Sequence, residues 1–234
     1  MSKSKYFHFL AWPLLMSGMA AAIEVKDIHR EIEANLSKIK TLSCQVEIMG
    51  VMGTGSLRHS FALEYKYPHR IRAVSSASPD LVYISRKDTS FFKSRTPKKM
   101  DESLIATIRP DAQGRLFNPI AFLGGEVTST ATPCGPRVCI SFSGKVGSQV
   151  ADSVKQQLGI SHYSGSIEYS PEKRVVESFT LLAGPAATTS KIEYQEIAGV
   201  QVPKVMEMQM QGMRTTIRFD KVKVNAPIPD RDFR

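Results

Sequence analysis

Leu57-Arg58-His59-Ser60-Phe61-Ala62-Leu63-Glu64-Tyr65-Lys66 is the stretch that decides the fold. Leu57, His59, Phe61, Leu63 and Tyr65 fall on one side of an extended chain, and Arg58, Ser60, Ala62, Glu64 and Lys66 on the other. Successive side chains of a strand point to opposite faces, so this alternation predicts a half-buried antiparallel strand. Gly53-Thr54-Gly55 turns the chain before it and Tyr67-Pro68-His69 after it. Similar runs, separated by turns, occupy 71–75, 81–85, 89–93, 127–131, 137–143, 166–170, 174–182, 188–196, 202–211 and 213–224. With the strand before Gly53 they come to about a dozen, which predicts a barrel, a partial barrel or a sandwich. No strand–helix–strand alternation appears, which disfavours a doubly wound parallel sheet.

Upstream, the period is that of a helix. Val25, Ile28, Ile32, Leu36, Ile39 and Leu42 recur at spacings of three and four among charged and polar residues. They predict one amphipathic helix with a single buried stripe. Short helical pieces are expected within Ser103–Gly125, stopped by Pro110 and by Gly124-Gly125, and again over Gln149–Leu158. Nothing marks an internal boundary, so residues 23–234 read as a single domain, mainly β with helices (α+β).

The 234 residues, 42% hydrophobic and 23% charged, are the composition of a globular chain. Lys3 and Lys5, an apolar run from Phe7 to Met19 and the small residues Ala20-Ala21-Ala22 form the pattern of a secretory signal peptide over 1–22. The expected location is the periplasm. Without Lys3 and Lys5 the mature chain keeps 29 basic against 22 acidic residues, +7. In an exported protein that surplus points to anionic lipid or envelope surfaces, not to nucleic acid. Export also permits disulfides. Cys134 and Cys139 flank a Gly135-Pro136 turn, where facing positions of a hairpin come within bridging distance, so a bond between them is expected. Cys44 alternates with Val46 and Ile48 and reads as a small core residue.

A search for chemistry finds no catalytic set, metal site or cofactor motif. The histidines form no H-E-x-x-H or H-x-H grouping, there is no G-x-S-x-G elbow, and Gly53-Thr54-Gly55 joins two strands instead of opening a helix. His162 is expected in a loop. What stands out is apolar. Met206, Met208 and Met210 alternate with polar residues, and beyond Gly212 so do Met213, Thr215, Ile217 and Phe219. A reversal near Gly212 would put both sets on one face of a hairpin. Methionine fills irregular space and repacks readily, so such a wall suits variable apolar ligands; packing beneath the helix is the alternative.

Four pieces, in this order, resemble the LolA-like family of periplasmic lipoprotein carriers and their relatives. They are Leu36-Ser37-Lys38-Ile39-Lys40-Thr41-Leu42-Ser43; Leu63-Glu64-Tyr65-Lys66-Tyr67-Pro68-His69-Arg70-Ile71-Arg72 with Leu81-Val82-Tyr83-Ile84-Ser85; Phe117-Asn118-Pro119-Ile120-Ala121-Phe122-Leu123; and the ending from Val222 to Phe233. The resemblance implies a curved, incompletely closed antiparallel β half-barrel of about 11–12 strands, with an N-terminal helix and short lid helices over an apolar cavity. It implies acyl chains as ligand, carried without catalysis from an inner-membrane donor complex to an outer-membrane acceptor by a monomer. On this footing Phe61, Leu63, Tyr65, Met206, Met208, Met210, Ile217 and Phe219 are the expected cavity lining. Phe117, Ile120, Phe122 and Leu123 are the expected lid. The family's carriers place an Arg just before the Pro of the second piece, where it latches the lid; here that residue is Tyr67. The leading function is therefore a carrier of acylated lipoprotein or lipid. The alternatives are a lipid- or partner-sensing envelope regulatory module on the same fold and an envelope enzyme built from scattered polar residues.

Overall fold

The computed structural model describes residues 24–52, 55–77, 82–86, 89–92, 117, 127–145, 162–184 and 186–233. The signal peptide expected over 1–22, the helix expected over 149–158 and the helical pieces expected within 103–125, Phe117 excepted, lie outside the described residues.

Helix α1 runs over Val25–Leu36 and buries Ile28, Ile32 and Leu36. It is shorter than its apolar stripe. Ser37 N–H closes the last turn on Glu33 O at 2.8 Å, and the chain then leaves the helix. Ile39 and Leu42, expected on the helix, lie instead in the following turn and the first strand, although both are buried. Tertiary bonds account for the difference. Lys40 N–H donates to Asn225 Oδ1 at 2.8 Å and Thr41 Oγ1 to Ala226 O at 2.6 Å, which fixes this segment against the far end of the chain.

The strands are β1 Thr41–Met52, β2 Gly55–Lys66, β3 Arg70–Ser75, β4 Val82–Arg86, β5 Thr89–Phe92, β6 Val127–Cys134, β7 Arg137–Lys145, β8 His162–Ser170, β9 Val175–Ala183, β10 Ala186–Ile197, β11 Val200–Met210 and β12 Met213–Val224. His162 opens β8, paired with Lys145, and is not in a loop. All twelve form one sheet in the order β5-β4-β3-β2-β1-β12-β11-β10-β9-β8-β7-β6. Two antiparallel meanders are thus joined through the long β1–β12 pairing. Strands β5 and β6 stand at opposite edges, so among the described residues the sheet curls without closing, a half-barrel with one α-helix. Gln211 and Gly212, both at positive φ, make the tight turn between β11 and β12 that the right-handed twist of a hairpin favours.

One face of the sheet is apolar and carries the core beneath α1. Two aromatic–glycine pairs shape it. Phe142 stands opposite Gly165 and Tyr163 opposite Gly144, with ring centroids 6.3 Å apart. A Cβ on Gly165 would meet Thr180 O at 2.0 Å and Phe142 Cζ at 2.6 Å; one on Gly144 would meet the Tyr163 ring at 2.8 Å. Each glycine lets an aromatic ring lie over the backbone of the neighbouring strand.

Candidate functional site

Registers place the expected lining residues relative to one another, because directly opposed residues of antiparallel strands share a face. Phe61 opposes Val46, and Val46 opposes Phe219, so the three form one row across β2, β1 and β12. Ile48, Ile217, Met206 and Ile192 form a second across β1, β12, β11 and β10. Thr215, Met208, Ser190, Phe179, Ile167 and Ile140 form a third that crosses to β7. Met213 and Met210 oppose each other beside the hairpin turn. All eight lining candidates therefore stand on the core face, at different depths. Phe61, Leu63, Tyr65, Ile217 and Phe219 are packed away; Met206 and Met208 are half-buried; Met210 is exposed at the rim.

The third row contains a polar group that sequence reading missed. Ser190 is buried between Phe179 and Met208, and its Oγ has no hydrogen-bond partner. Such a group costs about 1–3 kcal/mol. In the sequence it sits within Thr188-Thr189-Ser190-Lys191, which reads as ordinary strand polarity, so no local signal marks it.

Of the lid candidates, Phe117 is described and Ile120, Phe122 and Leu123 lie outside the described residues. Phe117 belongs to the stretch that joins the two edge strands, β5 and β6, and its ring meets Phe219 edge-on at 5.0 Å. An edge-to-face pair of this kind contributes about 0.5–1.5 kcal/mol beyond area burial. Phe117 also adopts φ 57, an unfavourable conformation for a bulky side chain.

Tyr67 is a surface residue of the β2–β3 turn, preceding a cis proline. Its N–H donates to Lys40 O at 2.8 Å, and the Lys40 ammonium lies 4.9 Å above its ring. The basic groups on either side of it hold the chain's ending: Lys66 Nζ and Arg70 Nη1 reach Asp230 Oδ1 at 2.6 and 2.8 Å. They keep the Asp230 carboxyl below the usual carboxylate range, Lys66 contributing most. Beyond Asp230, Phe233 is buried.

At the other corner of the sheet α1 is tied down by side chains. Tyr169 Oη donates to Glu31 Oε2, and Asn35 Nδ2 donates to Gln201 O at 3.2 Å. Burial, with the Glu31 bond second, raises the Tyr169 phenol well above its ordinary range. Cys134 and Cys139 are bonded across the β6–β7 turn, with Cα atoms 5.8 Å apart. Beside them Arg137 Nη1 meets Glu168 at 3.0 Å and its Nε meets Glu177 at 2.8 Å. Cys44 is free and buried, and burial first and Asp220 second push its thiol up to about 12, which keeps it unreactive at neutral pH.

Open grooves on the outer face are lined largely by polar side chains, with Tyr163 and Leu182 also in the wall of the larger volume. One of about 430 Å³ has Thr128, Ser143, Lys145, His162 and Ser164 among its walls; another of about 330 Å³ has Thr180, Thr189, Lys191, Glu207 and Arg214. Hydrocarbon gains little there, so the apolar face remains the candidate site.

No family model matches the chain, and no curated protein matches it in sequence. Solved structures do match in shape. A LolA superfamily protein from Nitrosomonas europaea is 10% identical with a TM-score of 0.54, covering 91% of this chain and 98% of its own. A domain described as an outer membrane lipoprotein-sorting protein from Vibrio parahaemolyticus is 9% identical with a TM-score of 0.59, covering 88% of this chain and 94% of its own. A DUF1329 family protein from Desulfovibrio piger is 10% identical with a TM-score of 0.57, covering 89% of this chain and 95% of its own. Among the described residues, twelve antiparallel strands curled beside one α-helix, left open between β5 and β6 and apolar on the inside, have the LolA-like fold.

Proposed function

We propose that the chain is exported by its residues 1–22 and works in the periplasm as a monomeric carrier. It shelters the acyl chains of a lipoprotein or lipid inside the half-barrel and moves them toward the outer membrane, between an inner-membrane donor complex and an outer-membrane acceptor. The observation that carries this reading is the inner face, whose rows run from Ile140 to Thr215 and from Ile48 to Ile192 and approach the rim through half-buried methionines. Each methylene kept from water is worth about 0.8 kcal/mol, so a chain of about fifteen methylenes gains on the order of 12 kcal/mol in a dry hollow. A flat patch leaves one side of the chain wet; a curved sheet encloses it.

Within this reading the lining candidates divide the work. Phe61, Leu63, Tyr65, Ile217 and Phe219 are the floor, and Met206, Met208 and Met210 are the adaptable wall that parts for a ligand. Phe117, with Ile120, Phe122 and Leu123 after it, is the cover, a role supported by the contact of the Phe117 ring with Phe219 on the inner face. Tyr67 stands where the related carriers have their latching Arg, so we assign closure to Phe117 on Phe219 instead.

Native mass spectrometry of the mature protein tests the proposal. Co-purified phospholipid or acylated polypeptide is expected, and Met208→Asp should remove it while leaving a folded protein. A wild-type protein that is empty and holds a protein partner would instead favour the sensing module.

A further inference from the structure

The buried, unpartnered hydroxyl of Ser190 raises a question the apolar wall does not answer. Alanine would fill the same space without a polar atom to satisfy, so the hydroxyl is a burden on the empty protein. A methylene chain offers it nothing, since it has no acceptor. The place of Ser190 in the sheet is informative. It stands one row inward of Thr188, Met210 and Met213 at the rim, and one row outward of Ile192, Met206 and Ile217. Two residues along a strand span about 7 Å. A lipid lying along the strands with its tail toward Ile217 and its head at the Met210 rim would carry its carbonyl in the row between. Thr215 stands in that same row on the far side of Met208.

We propose, building on the carrier reading, that Ser190 Oγ donates a hydrogen bond to the acyl carbonyl oxygen of the bound lipid. It thereby sets both how deep the tail inserts and which lipids are accepted: those with an ester or amide carbonyl, over ether-linked or plain hydrocarbon chains. Met206 and Met208 beside it are half-buried and unbranched, and move aside to admit the chain.

Binding of three probes to the mature protein tests this: 1-palmitoyl-lysophosphatidylcholine, its 1-O-hexadecyl ether analogue, which lacks the carbonyl, and an N-palmitoyl peptide. The wild type should hold a carbonyl-bearing probe about three- to tenfold more tightly than the ether, the range of one neutral hydrogen bond. Ser190→Ala should erase that preference, leave ether binding unchanged, and keep or raise the thermal midpoint of the empty protein. A purely structural serine would lower it. A Ser190-dependent gain for the ester points to a glycerolipid source, and one for the amide to an N-acylated polypeptide. A carbonyl preference that survives Ser190→Ala, or is absent in the wild type, overturns the inference while the carrier reading stands. Failure of the wild type to bind any of the three sinks both.

Discussion

At the helix end of the half-barrel Leu42, Tyr169 and Val202 are each 1% exposed, whereas at the opposite rim Met210 is 39% exposed. The same strands run through both ends, so the contrast comes from what covers them. The helix end has α1, the Tyr169–Glu31 and Asn35–Gln201 bonds, the disulfide and the Asp230 clamp. The rim has methionines, a two-residue turn and half-buried side chains. Stability is concentrated at one end and adaptability at the other, as expected of a scaffold whose low-stability region handles ligand.

Deleting side-chain volume should give the largest difference between the two. Leu63→Ala, at a fully buried site on β2, is expected to cost about 2–5 kcal/mol. Met210→Ala at the rim should stay within about 0.5 kcal/mol. Urea unfolding compares them, and equal costs would erase the distinction between the ends. Next comes the disulfide. Closing so short a loop constrains the unfolded chain by about 2 kcal/mol, so Cys134→Ser with Cys139→Ser should lower stability by that much in non-reducing buffer.

Tyr169→Phe removes one bond to a carboxylate, for an expected loss of about 1.5 kcal/mol. It should also loosen α1 specifically, seen as faster amide exchange over Val25–Leu36 with the rim unchanged. The smallest effect is at Asp230. Its folded carboxyl titrates below its unfolded value, so the clamp is intact above the ordinary carboxylate range and is lost only as pH falls through the depressed value. Amide exchange at Asp232, whose N–H donates to Pro229 O at 3.1 Å, should rise only in that acid window. Asp230→Asn should make it fast at every pH.

Reading the sequence went furthest where structure is local. The alternation of Phe61, Leu63 and Tyr65 predicts the burial found, because strand period and one-sided packing are the same fact seen twice. The reversal at Gly212 and the bond between Cys134 and Cys139 were legible for similar reasons: a few residues suffice to make a turn. It misjudged the end of α1, since Ile39 and Leu42 continue a helical spacing while Lys40 and Thr41 between them bond to residues nearly two hundred positions away. The pairing of Phe142 with Gly165 left a faint trace, a glycine just ahead of the strand expected over 166–170, whose meaning depends on which strand lies alongside.

The sequence by itself determined the elements: which stretches alternate, which side of each is greasy, and where the chain must turn. These follow from the fixed geometry of extended and helical backbone. Only the tertiary structure decided that β1 pairs with β12, that the methionine hairpin lies at the end of the sheet away from α1, and that Ser190 stands unsatisfied among apolar neighbours. Such features are distances between residues far apart in the chain, and no local period encodes them.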